Sequence, residues 1–250
     1  MGCDIHMVVE VRKDGKWQKQ VDPFATCPDC NGKKTITYAQ DGKTEPCYWC
    51  KGVGKQSRYG SRNYNVFSVL GNVRNGSGEF EIPFIGDERG LPADASCAPC
   101  TESCTYDEDS GDCLAKHDDL GEHSLSWVSL AELLAYDWDR RMPVEGRVDQ
   151  KQFQIFREKA KPEEYSGGVM GRLVEHIGNS EMARRIDSPR PPELEDLFNR
   201  IAGGVKQYYT LVRWTETLKE MCGDFCDLFI PALQTLGAPE DVRLVFGFDS

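Results

Sequence analysis

No stretch of this chain approaches the roughly 18 apolar residues that a membrane span requires. The N-terminus also lacks a basic segment running into an apolar one, the pattern of a secretory leader. These two absences set the expectation of a cytoplasmic protein with no membrane contact. Positive charge is scarce: 30 Lys and Arg stand against 41 Asp and Glu, a net charge of −11. Phosphate neutralisation needs a basic surface, so bulk nucleic-acid binding is disfavoured. There are no internal repeats or low-complexity tracts, which excludes a solenoid. At 250 residues the chain can bury one substantial core with a small satellite.

Cysteine is abundant, with eleven in all. Cys27-Pro28-Asp29-Cys30-Asn31-Gly32 is followed by Cys47-Tyr48-Trp49-Cys50-Lys51-Gly52-Val53-Gly54. Two such knuckles across a short polar span have the spacing of a tetrahedral zinc site, in which each tight turn supplies two thiolates. The glycines behind each pair let the backbone fold around the metal without a Cβ clash. The alternative is four unrelated structural cysteines, or two disulfides. Without a leader, these spacings favour metal in a reducing compartment. Around the hairpin, Lys33, Lys34, Lys43, Lys51, Lys55, Arg58 and Arg62 give a local basic surplus, interleaved with Tyr38, Tyr48 and Trp49. Basic and aromatic residues together can bind single strands, or they are simply a solvated face.

A second cluster, Cys97, Cys100, Cys104 and Cys113, could close another zinc site, with His117 able to replace one cysteine. Otherwise these are loop thiols. Asp107, Glu108, Asp109 and Asp112 beside them are expected to be solvated.

Residues 4–12 alternate. Ile5, Met7, Val9 and Val11 make an apolar face, and Asp4, His6, Glu10 and Arg12 fall on the other, interrupted by Val8. An Asp and a His two apart on one strand face can ligate a metal together or form an acid–base pair; a plain solvated face carries equal weight. Tyr64, Phe67, Val69, Leu70 and Val73 fit a short helix ending near Gly71. Ser129 and Glu132 form a capping box for a helix whose stripe is Leu130, Leu133, Leu134 and Trp138. His123, Ser124 and Ser126 then precede a helix N-terminus, where an anion is favoured. From Val148 onward a helical reading prevails, with periodicity from Leu194 through Val205, Tyr208, Val212 and Leu228. Cys222 and Cys226, one turn apart, read as core residues. Residues 241–249 form a last strand that pairs with the first.

The expected fold class is α+β. A small mixed or antiparallel sheet holds the N- and C-terminal strands, packed with helices and carrying one or two zinc-stapled insertions. One domain spans residues 1–250, with a zinc hairpin at 24–58, a cysteine-rich loop at 96–117 and a mainly helical part at 148–236.

Two resemblances accompany these patterns. The Cys-x-x-Cys-x-Gly pairs of residues 27–54 resemble half of the cysteine-rich domain of DnaJ chaperones, without that family's His-Pro-Asp signature or Gly/Phe linker. The opening Met1-Gly2-Cys3-Asp4-Ile5-His6, with Arg62-Asn63-Tyr64, Val73-Arg74-Asn75, Arg89-Gly90-Leu91-Pro92, His123-Ser124, Ser126-Trp127 and Val245-Phe246-Gly247-Phe248-Asp249, resembles a group of uncharacterised bacteriophage proteins. The second resemblance implies a phage product in a bacterial cytoplasm and carries no activity with it.

Three functions remain open on sequence. In the first, the protein binds an anionic, nucleotide-like small molecule or a host protein, with counter-defence as a setting. Arg74, Arg89, His123, Ser124 and Ser126 would hold the anion, with Tyr64 and Trp127 as stacking surfaces. In the second it is a metal-dependent phosphate-ester hydrolase using Asp4, His6 and His123. In the third it is a zinc-hairpin adaptor contacting nucleic acid or a partner protein. The first two require the polar side of the first strand and the serine-rich stretch before the second helix to line one cavity.

Overall fold

The structure, a computed structural model, describes residues 2–38, 40, 42–76, 80–98, 118–189 and 203–249. The chain forms two compact units, Met1–Arg140 with Leu218–Ser250, and Arg141–Thr217. The strands of the first unit are β1 (Ile5–Lys13), β2 (Lys16–Lys19), β3 (Ala25–Thr26), β4 (Thr35–Thr37), β5 (Thr44–Pro46), β6 (Lys55–Gln56), β7 (His123–Ser129) and β11 (Val242–Phe248). Its helices include α1 (Tyr64–Gly71), α2 (Leu130–Ala135) and the helical turns Leu218–Cys222, Phe225–Phe229 and Ile230–Leu233, the middle one π-helical.

The class is α+β, and a four-stranded antiparallel sheet in the order β2-β1-β11-β7 joins the two ends of the chain. Its register follows from the alternation of β1. Ile5, Met7, Val9 and Val11 lie opposite Phe248, Phe246, Leu244 and Val242, all buried. Each such large side chain contributes about 1.5–3 kcal/mol on leaving water. Helix α1 starts where the Asn63 side chain accepts hydrogen bonds from the Asn65 and Val66 amides, and it ends at Asn72 in the left-handed region. It packs on the same face as Phe248: the rings of Phe67 and Phe248 lie 5.4 Å apart edge-on. At Gly71 a Cβ would meet the Phe248 ring at 2.6 Å, so glycine is what lets the helix approach.

The polar face of β1 is covered at Val8 and Glu10. Val8 packs with Val245, Cys97 and Leu120, and Glu10 is fully buried. Its carboxylate accepts hydrogen bonds from the Ser96 amide (2.5 Å), the Ser96 hydroxyl (2.7 Å), the Cys97 amide (3.0 Å) and Arg243 Nε (2.7 Å). With layers on both sides, β11 is buried along its whole length.

The second unit contains β8 (Arg141–Val148), α3 (Gln150–Lys159), β9 (Val174–His176), α4 (Asn179–Asp187) and β10 (Gln207–Thr217). Its strand order is β8-β10-β9, β8 antiparallel to β10 and β9 parallel to it. Phe153 and Met182 from the two helices pack on Val148, Val212 and Trp214. Here the helical periodicity expected through Tyr208 and Val212 is corrected. Residues 207–217 form the longest strand, with Thr210, Val212, Trp214 and Glu216 buried in alternation. Val205, Tyr208 and Val212 also fit a helical spacing. The local wealth of Tyr, Thr, Val and Trp, all good strand formers, favours period two, and pairing with β8 and β9 fixes it. Residues 190–202 of the expected helix lie outside the described residues.

Candidate functional site

Each knuckle closes through the same short turn. The Gly32 amide donates to the Cys27 carbonyl (3.3 Å) and the Lys33 amide to that of Cys30 (2.9 Å); Gly52 to Cys47 (3.2 Å) and Val53 to Cys50 (2.9 Å) repeat the pattern. Such a turn needs positive φ at consecutive positions, supplied by Asn31 and Gly32 and again by Lys51 and Gly52. At Gly54 a Cβ would lie 2.8 Å from the Gly32 carbonyl oxygen, so the two knuckles touch backbone to backbone. Two small ribbons, β3 with β6 and β4 with β5, clasp the hairpin.

The four sulfurs converge. Cys27 and Cys47 Sγ are 3.8 Å apart, Cys30 and Cys50 Sγ 3.7 Å, and all four lie within 4.8 Å of one another. A tetrahedron with Zn–S bonds of about 2.3 Å has edges of about 3.8 Å. All four thiols are free and buried, so the two-disulfide alternative is not what forms. The Gly54 amide points at Cys50 Sγ at 3.2 Å. Burial pushes the Cys50 thiol up, but that amide and the neighbouring thiols outweigh it and hold it below its ordinary range. Burial dominates at Cys27 and pushes its thiol up. These residues form a four-cysteine cluster able to hold a metal such as zinc.

Beside the cluster lies a cleft of about 970 Å³. Pro28, Asp29, Trp49, Lys51 and Val53 line it from the knuckles, Lys55 to Arg62 from the exit, and Asp4, Ile5 and His6 from the start of β1, with Asp119 and Asp224. Trp49 is 60 % exposed and Tyr48 68 %; Lys51 Nζ sits 4.1 Å over the Tyr48 ring. Among the described residues, Lys55 and Arg58 have no carboxylate partner. Arg62 differs: its Nε donates to Asp4 at 2.6 Å and its Nη2 to the other oxygen, and this pairing lowers the Asp4 carboxyl below its ordinary range. His6 is held between carboxylates, Nδ1 at 2.9 Å from Asp119 and Nε2 at 3.0 Å from Asp249.

The expected meeting of Asp4, His6 and His123 does not occur. His6 lies opposite Gly247 and His123 opposite Phe248; neighbours along one strand point to opposite faces. The His123 ring stacks over that of Phe248 at 6.1 Å, and its Nδ1 is 3.1 Å from the Ser124 hydroxyl. Among the described residues, only the four cysteines bring three or more such ligand atoms within 4.8 Å of one another. The hydrolase geometry is thereby overturned.

The expected anion site is dispersed as well. His123 to Ser129 is the fourth strand, not a loop, and the Ser129 amide and hydroxyl bond to Glu132 of the following six-residue helix. Ser126 is buried and accepts from the Arg89 amide at 3.1 Å. Arg89 grips Glu132 through two hydrogen bonds, 2.7 and 3.1 Å, over the Trp127 ring. Arg74 lies 6.0 Å from the Tyr64 ring. Cys97 sits in the core with its thiol pushed up to about 12 by burial, while Cys100, Cys104, Cys113 and His117 lie outside the described residues. Cys222 and Cys226 are buried, as a core role requires.

One arrangement was not anticipated. Arg12, Trp17, Arg243, Trp127 and Arg89 alternate in a ladder across the sheet, with guanidinium-to-ring distances of 5.5, 4.0, 5.8 and 5.0 Å. It lines a second cleft of about 670 Å³. Its only sequence trace is Arg12 facing Trp17 across the Asp14-Gly15 turn.

No protein-family model, curated protein or solved structure matches the chain. No helix among the described residues is long and apolar enough to cross a membrane.

Proposed function

We propose that this is a zinc-stapled binding protein that captures an anionic, nucleotide-like ligand, not between β1 and the serine-rich strand as expected, but in the cleft beside its knuckles. The observation that carries the reading is Trp49: a largely exposed ring on a metal knuckle, lining the same cleft as Lys55 and Arg58, two cations without a carboxylate partner. Stacking on the ring and phosphate pairing with the two cations would supply recognition. Four thiolates at tetrahedral spacing suit zinc above harder cations. The metal would set the knuckle's shape and take no part in chemistry. The resemblance of the opening motif to phage proteins supports reading it as a phage-type accessory protein of a bacterial cytoplasm, with counter-defence as its setting. The paired exposure of Tyr48 and Trp49 also fits an adaptor whose partner is a host protein.

Metal analysis should return one zinc bound by the knuckles, lost in Cys27→Ser/Cys50→Ser. Titration with mono-, di- and cyclic nucleotides should quench tryptophan fluorescence, and Trp49→Ala or Lys55→Glu/Arg58→Glu should weaken binding about tenfold or more. If no nucleotide binds, or if Trp49→Ala binds as well as the parent, the ligand reading fails.

A further inference from the structure

Charge is segregated along this chain. Residues 141–217 hold 13 Lys and Arg against 12 Asp and Glu, whereas the remainder holds 17 against 29. The near-neutral segment is the second unit, and both of its helices pack on one face of its sheet. The strand register places Arg141, Arg147, Arg213, Leu211, Tyr209 and His176 on the other face. That face is open to solvent at Arg213, 63 % exposed, and at Leu211, 38 %. Glu145, opposite Arg213 and 3.1 Å from its guanidinium, is the one carboxylate on this face of β8. Arg141 is steadied by the Thr215 hydroxyl at 3.2 Å, and Arg147 donates to His176 Nδ1 at 3.1 Å.

We infer that this open sheet face binds single-stranded nucleic acid. Arg141 and Arg147, six residues apart on β8, span about 20 Å, with Arg213 between them on β10, enough for several nucleotides. Guanidinium groups pair with phosphates and also stack on bases. Tyr209 supplies an aromatic plane beside the His176 ring, and Leu211 supplies apolar contact between them and the arginines. Recognition by a sheet surface through aromatic and basic side chains is an established mode for unstacked strands. Outside residues 24–62, the remainder of the chain carries an excess of carboxylates, which disfavours a polyanion there.

The test uses the full chain and a fluorescein-labelled uridine RNA of about 20 nucleotides, followed by anisotropy between about 50 and 200 mM salt. Arg141→Ala/Arg147→Ala/Arg213→Ala should weaken binding about tenfold or more and reduce the log–log salt slope by about 2, from three phosphate contacts at about 0.7 each. Tyr209→Ala should cost about fivefold or more with the slope unchanged. The single exposed Arg213→Glu keeps the comparison valid if the triple variant melts early. Lys55→Glu/Arg58→Glu should leave RNA affinity intact; a loss there would move the RNA to the cleft and overturn this inference alone. Absence of RNA binding at about 50 mM salt would overturn it too, as would a triple variant binding like the parent or a polyglutamate peptide binding as tightly as the RNA.

Discussion

Replacing Glu10 with alanine removes the acceptor at the middle of the first unit. Its carboxylate takes four hydrogen bonds, from Ser96 N and Oγ, Cys97 N and Arg243 Nε. Arg243 is itself only 4 % exposed, and its remaining carboxylate, Asp94 at 2.8 Å, is 67 % exposed. Glu10→Ala therefore leaves a buried guanidinium with one solvated partner and two amides with none. Breaking one side of a buried pair costs about 3–5 kcal/mol, a large part of the roughly 5–15 kcal/mol that holds a domain folded. At about 2–4 °C per kcal/mol, the melting temperature should fall by about 6–20 °C. Trp17 and Trp127 flank Arg243 at 4.0 and 5.8 Å, so thermal melts read by tryptophan fluorescence report on this layer. Asp94→Ala is the control: an exposed pair is worth about 0–1 kcal/mol, and its melt should move by no more than about 4 °C. The reasoning is refuted if Glu10→Ala melts within about 2 °C of the parent, or if Asp94→Ala costs as much.

Three further outcomes are expected. Chelation, or Cys50→Ser, should release bound metal and expose the amides of the two knuckles to hydrogen exchange while those of β1 and β11 stay protected, because among the described residues Ile36 is the one apolar side chain packed on the sulfurs. The Glu132 carboxyl is pushed down to about 2, foremost by Arg89 and then, against burial, by the Ser129 amide and hydroxyl. Its ionised form thus stabilises the fold above about pH 4.5, and that contribution is lost as pH falls toward 2. With a third of the side chain exposed, screening leaves about 1 kcal/mol of a nominal 3 kcal/mol, and Glu132→Gln should flatten the acid limb of a denaturation series by that amount. Gly247→Ala should destabilise by about 2 kcal/mol or more in urea titration, because its Cβ would overlap the Leu120 carbonyl.

The four-cysteine hairpin was legible because every part of it is local. Ligand spacing, trailing glycines and the turn between them all lie within residues 27–54, and each knuckle is a self-contained ring of backbone hydrogen bonds. The apolar alternation of β1 and the Ser129–Glu132 capping box were legible for the same reason. Residues 207–217 misread because two periodicities overlapped there, and the pairing with β8 and β9 chose between them. The proposed convergence of His6 with His123 failed on a fact that no local pattern carries: both flank β11, one residue out of phase, and so point to opposite faces.

The sequence by itself determined the cysteine knuckles, the first and last strands, and the class of the fold, since these rest on spacing and on short-range alternation. Only the tertiary structure decided what the charged residues do. It set Arg89 on Glu132, Arg62 on Asp4, and Arg243 on Glu10 and Asp94, and left Lys55 and Arg58 open at the cleft beside Trp49. A charge acts through whatever lies within a few ångströms of it, and those neighbours come from segments tens to hundreds of residues away.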